Sequence, residues 1–134
     1  MLLPINATVA VADGETLALY RNGGHAGAVS LTALPAPQLE EASAGSGGRH
    51  YSSAGNPDDG RQDEDDFAAG AAAWLNRQVL DGKIEALMVI ATPKTLGELR
   101  KHYHKALQAA LVGELAKEMV GRSVEDIAAA VTHA

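Results

Sequence analysis

The chain has 134 residues, 46% of them hydrophobic and only 4% aromatic, with no cysteine and a net charge of −6. That is enough apolar chain for one domain cored by Ala, Val, Leu and Ile, and too much for a disordered one. The missing cysteines exclude disulfides, thiolate metal sites and thiol catalysis, and the acidic balance argues against non-specific nucleic-acid binding unless Lys and Arg cluster locally.

Thr8 to Ala12 is a short apolar run with β-branched residues, followed by Asp13-Gly14, a pair that tolerates positive φ and signals a hairpin. Thr16 to Tyr20 forms the return strand, and Asn22-Gly23-Gly24 is a second turn signal. Val29 to Leu34 alternates apolar and polar residues as a half-buried strand does, and Pro35 and Pro37 end it. The N-terminal third therefore reads as a three-stranded antiparallel meander. Residues 35–62 carry no apolar periodicity and are rich in Gly, Ser, Asp, Asn and Pro. Connections longer than about 12–15 residues in a compact domain are functional or disordered, so 35–62 reads as a long loop within a single domain spanning 1–134.

Phe67 to Leu80 is the clearest helix, with Phe67, Ala71, Trp74, Leu75 and Gln78 along one face. Asp63, Glu64, Asp65 and Asp66 are expected in its first turn, complementing the helix dipole, and Asp81-Gly82 stops it. Ile84 to Ala91 is a continuous apolar run bounded by turn signals, the pattern of a buried central strand. Thr92-Pro93 opens a second helix expected from Lys94 to Gln108, with Leu96, Leu99, His102 or Tyr103, and Ala106-Leu107 facing inward. Leu111 to Leu115 reads as a further strand, although nearby Glu and Lys permit helix. Ser123 is a good N-cap for a final helix carrying Val124, Ile127, Ala128 and Val131, with Asp126 at the capping-box position.

The two later strands join through a helical crossover and should run parallel. The expected fold is α/β, a mixed five-stranded sheet with helices packed on it and a ribonuclease H-like topology. No run approaches the roughly 20 apolar residues of a membrane span. The stretch from Met1 to Asn6 lacks the basic start and apolar core of a secretory signal, so a cytoplasmic location is expected.

Ribonuclease H-like topology invites a two-metal nuclease, which needs several converging carboxylates. Asp13 falls in a turn rather than mid-strand, and the other acids cluster where solvation and the helix dipole explain them. His102 and His104 stand two residues apart, on different faces of a helix, and cannot share a metal there. Gly45-Ser46-Gly47-Gly48 neither follows a strand nor opens a helix, so it is no nucleotide-binding fingerprint. No catalytic residue, metal or cofactor is assigned. Lys94, Arg100, Lys101 and Lys105 cluster on the second helix with only Glu98 to offset them, and Arg49 and Arg61 could join them. A solvated helix face competes here with a phosphate-contacting surface.

The segment from Leu87 through Thr92-Pro93-Lys94-Thr95-Leu96-Gly97-Glu98-Leu99-Arg100, continuing over His104 to Leu107 and Val112 to Glu118, resembles the bacterial host attachment proteins, described as required for attachment to host cells. Gly48 to Ser53, Phe67-Ala68 and Val9 to Gly14 extend the resemblance over nearly the whole chain. That family is similar to the central domain of archaeal and eukaryotic peptide-chain release factors. There a glycine-rich loop before the first long helix carries Gly-Gly-Gln and triggers peptidyl-tRNA hydrolysis. Here Gly47-Gly48 is followed by Arg49. The resemblance implies a ribosome- or tRNA-facing binding module without chemistry, with Gly47, Gly48, Arg49, Lys94, Arg100, Lys101 and Lys105 as binding residues. Its alternatives are release-factor-like hydrolysis through the glycine-rich loop and a structural role in host attachment.

Overall fold

The computed structural model describes residues 2–25, 27–39 and 59–134. Strands β1 (Thr8–Ala12), β2 (Leu17–Asn22) and β3 (Leu31–Ala33) are followed by helix α1 (Asp59–Leu80), β4 (Leu87–Ala91), helices α2 (Pro93–Arg100) and α3 (Lys105–Ala110), β5 (Leu111–Ala116) and helix α4 (Val124–Thr132). They form one mixed sheet in the order β3-β2-β1-β4-β5. β1 pairs with β2 and β2 with β3 antiparallel, whereas β4 lies parallel to β1 on one side and to β5 on the other. The α/β class, the meander and the parallel crossover are as the residue pattern implies.

β1 and β4 are buried along their whole length because both faces of the sheet are covered. On one face Ala10, Ala12, Leu87, Val89 and Ala91 meet Ala68, Ala71, Ala72 and Leu75 of α1, Leu96 and Leu99 of α2, and Leu107 of α3. On the other face Val9, Val11, Met88 and Ile90 meet Ile127 and Val131 of α4, with Leu3, Leu31 and Met119. Strand alternation sends neighbouring residues to opposite layers.

The turns follow local chemistry. Gly82 ends α1 at φ 79°, and the Lys83 N–H donates to the Gln78 carbonyl at 2.9 Å. The Ser123 hydroxyl caps α4 by accepting from the Asp126 N–H at 3.1 Å.

Four expectations are corrected. Helix α1 begins at Asp59, so the last residues of the expected 35–62 loop are helical and Asp63 to Asp66 lie beyond the first turn. The expected Lys94–Gln108 helix is two helices, parted at His102-Tyr103-His104. Strand β2 runs two residues past the expected Tyr20, so Asn22 is its last residue as well as the head of the following turn, and it is fully buried. Its amide donates to the carbonyls of Leu3 and Pro4 and accepts from the N–H groups of Gly24 and Ser30, so all its bonds are long-range or cross-turn. Neither Asp13 nor Gly14 takes the positive φ that their pairing permits. The Asp13 carboxylate closes that turn itself, accepting from the N–H groups of Glu15 and Thr16, both at 2.8 Å.

Candidate functional site

Because β1, β4 and β5 run parallel, their C-terminal ends share one edge of the sheet. That edge is where open α/β sheets hold ligands. β1 delivers Asp13 and Gly14 there, β4 delivers Thr92, Pro93 and Lys94, and β5 delivers Lys117, whose N–H bonds the Ala91 carbonyl at 2.8 Å. α1 closes over this edge through Glu64. A Cβ on Gly14 would stand 2.8 Å from Glu64 Cγ and push that side chain aside, so glycine matters here by close approach and not by backbone conformation. The same Glu64 accepts from Lys94 Nζ at 2.7 Å. One carboxylate thus ties the first hairpin, α1 and the start of α2 together. Both partners are well exposed, at 58% and 44%, so the pair positions these elements more than it stabilises them.

The other cations of the expected patch lie farther along the same layer. Arg100 ends α2, and its Nη2 and Nε donate to Glu114 Oε1 at 2.8 and 3.1 Å. Glu114 sits on β5 with its side chain only 20% exposed, and this two-pronged bond raises the Arg100 pKa further. Lys101 donates to Glu98 at 2.8 Å, one turn back. That hydrogen bond lowers the Glu98 pKa against the opposing effect of desolvation, and the charges of Lys101, His102 and Lys94 lower it further. The Lys101 pKa is raised, first by the bond to Glu98 and last by the charge of Asp65 on α1. Lys105 opens α3, exposed and without an ion pair among the described residues. The cluster that Glu98 alone was expected to offset is therefore met by Glu64, Glu98 and Glu114, one for each of three cations. Gly47, Gly48 and Arg49 lie outside the described residues, as does the Arg61 side chain.

The junction between α2 and α3 is pinned from α1. Asn76 Nδ2 donates to the His102 carbonyl at 2.8 Å, and Asn76 Oδ1 accepts from the His104 N–H at 2.9 Å. His104 then caps α3 through Nδ1, which accepts from the Ala106 N–H at 2.9 Å. Tyr103, not His102, turns inward against the core. Its hydroxyl is buried, with Glu114 near enough to act on it but no partner in hydrogen-bond geometry among the described residues. Burial first, and then the negative charge of Glu114, push its pKa well above the ordinary value. Among the described residues no three His, Asp or Glu side chains gather to hold a metal, and no helix is long and apolar enough to cross a membrane.

The residue pattern gave Asn76 no part, read Glu64 only as a partner of the helix dipole, Tyr103 only as a candidate for the inner face, and Glu114 only as part of the resemblance. The partners of Glu64, Asn76 and Glu114 lie far away in sequence, and no spacing announces them. Only the run of cations on α2 hinted that carboxylates would be drawn to it.

The family model described as bacterial archaeo-eukaryotic release factor family 12 matches residues 6–131. The chain belongs to that family. The match supports the release-factor side of the resemblance and does not carry the host-attachment name. No curated protein matches the chain.

Proposed function

We propose, with membership of the release-factor-like family as the premise, that this chain is a non-enzymatic cytoplasmic module that faces the ribosome or its RNA. In this reading one domain spans 1–134 and binds through α2 and through the segment that carries Gly47, Gly48 and Arg49. The observation that carries the reading is the family match over 6–131. The absence of chemistry rests on Arg49, which follows Gly47-Gly48 where the hydrolytic loop of release factors has glutamine. Lys94, Arg100, Lys101 and Lys105 supply the cations that phosphate contact needs on a chain of net charge −6. Co-sedimentation with bacterial ribosomes at low salt tests the proposal. Recovery in the ribosomal fraction, falling steeply as salt rises, is the expected result, and recovery only at the top of the gradient overturns it.

Gly47-Gly48 also motivates the hydrolytic alternative. If purified protein frees peptide from peptidyl-tRNA, and Gly47→Ala or Gly48→Ala abolishes that release, the chain is an enzyme and the non-enzymatic reading fails. The structural role in host attachment is distinguished by surface labelling of intact cells, which it requires to be positive.

A further inference from the structure

Helix α2 starts where the connections of the sheet part. From β1 the chain turns to β2 on one side, and from β4 it leaves through α2 for β5 on the other. Connections that diverge in this way leave a crevice beyond the C-terminal ends of the two strands, where open α/β sheets bind ligands. Ala12 pairs with Ala91 in the β1–β4 register, so Asp13 and Thr92 leave the sheet side by side.

The first turn of α2 comes to that crevice with its donors unused. Thr92 is the N-cap residue, but its hydroxyl caps nothing, and no acidic residue stands in the first turn. Pro93 has no N–H, and the Leu96 N–H bonds the Thr92 carbonyl at 2.8 Å. The N–H groups of Lys94 and Thr95 remain, and neither makes a hydrogen bond among the described residues. A second feature is independent of the helix start. Thr95 is only 6% exposed, yet its hydroxyl makes no hydrogen bond among the described residues. The one side-chain polar atom sealed from solvent without a hydrogen bond there is the Tyr103 hydroxyl, so Thr95 Oγ1 keeps an opening. Side chains of a helix tilt toward its N-terminus, and Thr95 follows Thr92 by three residues, on the same face. The acids of this edge are already engaged. Asp13 turns its carboxylate to the N–H groups of Glu15 and Thr16, and Glu64 accepts from Lys94.

We propose that the first turn of α2 is a binding site for a single phosphate group, held by the N–H groups of Lys94 and Thr95 and by the hydroxyls of Thr92 and Thr95. The partial positive charge of a helix start favours such an anion, and backbone N–H groups aimed outward give it donors. The buried Thr95 hydroxyl gains the partner it lacks. The site stands apart from the RNA-facing reading, because the phosphate is either free or a link of an RNA backbone, and two probes separate these sources.

The test is titration of the full chain, followed by its backbone amide signals, with inorganic phosphate and separately with a short single-stranded oligoribonucleotide that has no terminal phosphate. Saturable shifts of the Lys94 and Thr95 amides are the expected result. Thr95→Val, which keeps the side-chain shape and removes the hydroxyl, should weaken the affinity by about tenfold or more, the worth of a hydrogen bond to a charged group. Thr95→Ser, which keeps the hydroxyl, should bind as the wild type does, with thermal unfolding confirming that each variant is folded. Saturation by phosphate alone supports the site and assigns it to a free phosphate-bearing ligand. Saturation by the oligoribonucleotide, with or without phosphate, supports it and assigns it to the RNA backbone. Shifts that do not saturate, or that spread over the exposed lysines and spare these two amides, overturn the site. So does a folded Thr95→Val that titrates like the wild type. Either failure leaves the RNA-facing reading to be decided by ribosome co-sedimentation.

Discussion

The two faces of the sheet are packed by different residues. Toward α1 the strands present Ala10, Ala12 and Ala91 beside Leu87 and Val89, and the helix answers with Ala68, Ala71 and Ala72 beside Leu75. Toward α4 they present Val9, Val11, Met88 and Ile90, and the helix answers with Ile127 and Val131. The first contact mixes alanines with fully buried leucines and Val89. The second is built mainly from branched side chains and methionine. The alanine-rich face is also the one whose rim carries ion pairs and backbone clamps from Glu64, Asn76 and Glu114. On that face polar side chains reach from one element to another and fix their registry.

This contrast predicts opposite sensitivities. On the α4 face truncation should do the damage: Ile127→Ala should cost about 2–5 kcal/mol, read from urea unfolding, because it opens a cavity among fully buried neighbours. On the α1 face enlargement should: Ala72→Leu should cost about 1–3 kcal/mol and shift backbone amide signals of β1 and β4, because no space exists for the added carbons. A tolerated Ala72→Leu would show that α1 is not tightly seated. Asn76→Ala should cost about 1–2 kcal/mol from the loss of both bonds to the α2–α3 junction, with faster hydrogen exchange at the His104 amide as its signature.

The smallest effect at neutral pH belongs to Tyr103→Phe, which removes a buried hydroxyl that makes no hydrogen bond among the described residues. Its effect should appear in alkali. The folded Tyr103 pKa is raised above the ordinary 10.0, so the folded state keeps a proton that the unfolded chain gives up. The associated stability is intact below about pH 10 and falls as pH rises beyond it. Phenylalanine should flatten that part of the profile, and an unchanged alkaline profile would assign the loss to another group.

Most of the fold was legible because its signals are local. Ile84 to Ala91 announces a buried strand by composition, Ser123 a helix start by its hydroxyl, and Gly82 a helix end by its freedom at positive φ. The break between α2 and α3 was not legible, because Leu99, Tyr103 and Leu107 keep helical spacing straight across it and no Gly or Pro marks it. What breaks the helix is Asn76, from another element. Asn22 was half legible for the same reason: its turn-forming bond to the Gly24 N–H is local, whereas its bonds to the carbonyls of Leu3 and Pro4 come from another segment. The candidate site was half legible. The cations of α2 stand in one run, but the acids that meet them come from α1, α2 and β5, and no spacing along the chain announces that convergence.

The order in which the layers are laid down has a consequence for synthesis. β1 emerges early, but its parallel partner β4 and the covering helix α4 come much later, with Thr8 paired to Leu87 and Val9 and Val11 shielded by Ile127 and Val131. A nascent chain that has delivered every strand still lacks the cover for one whole face. Until Val124–Thr132 leaves the exit tunnel, Leu31, Met88 and Ile90 wait uncovered beside them. A chain interrupted before that point would present an apolar sheet surface to chaperones, proteases and its own copies.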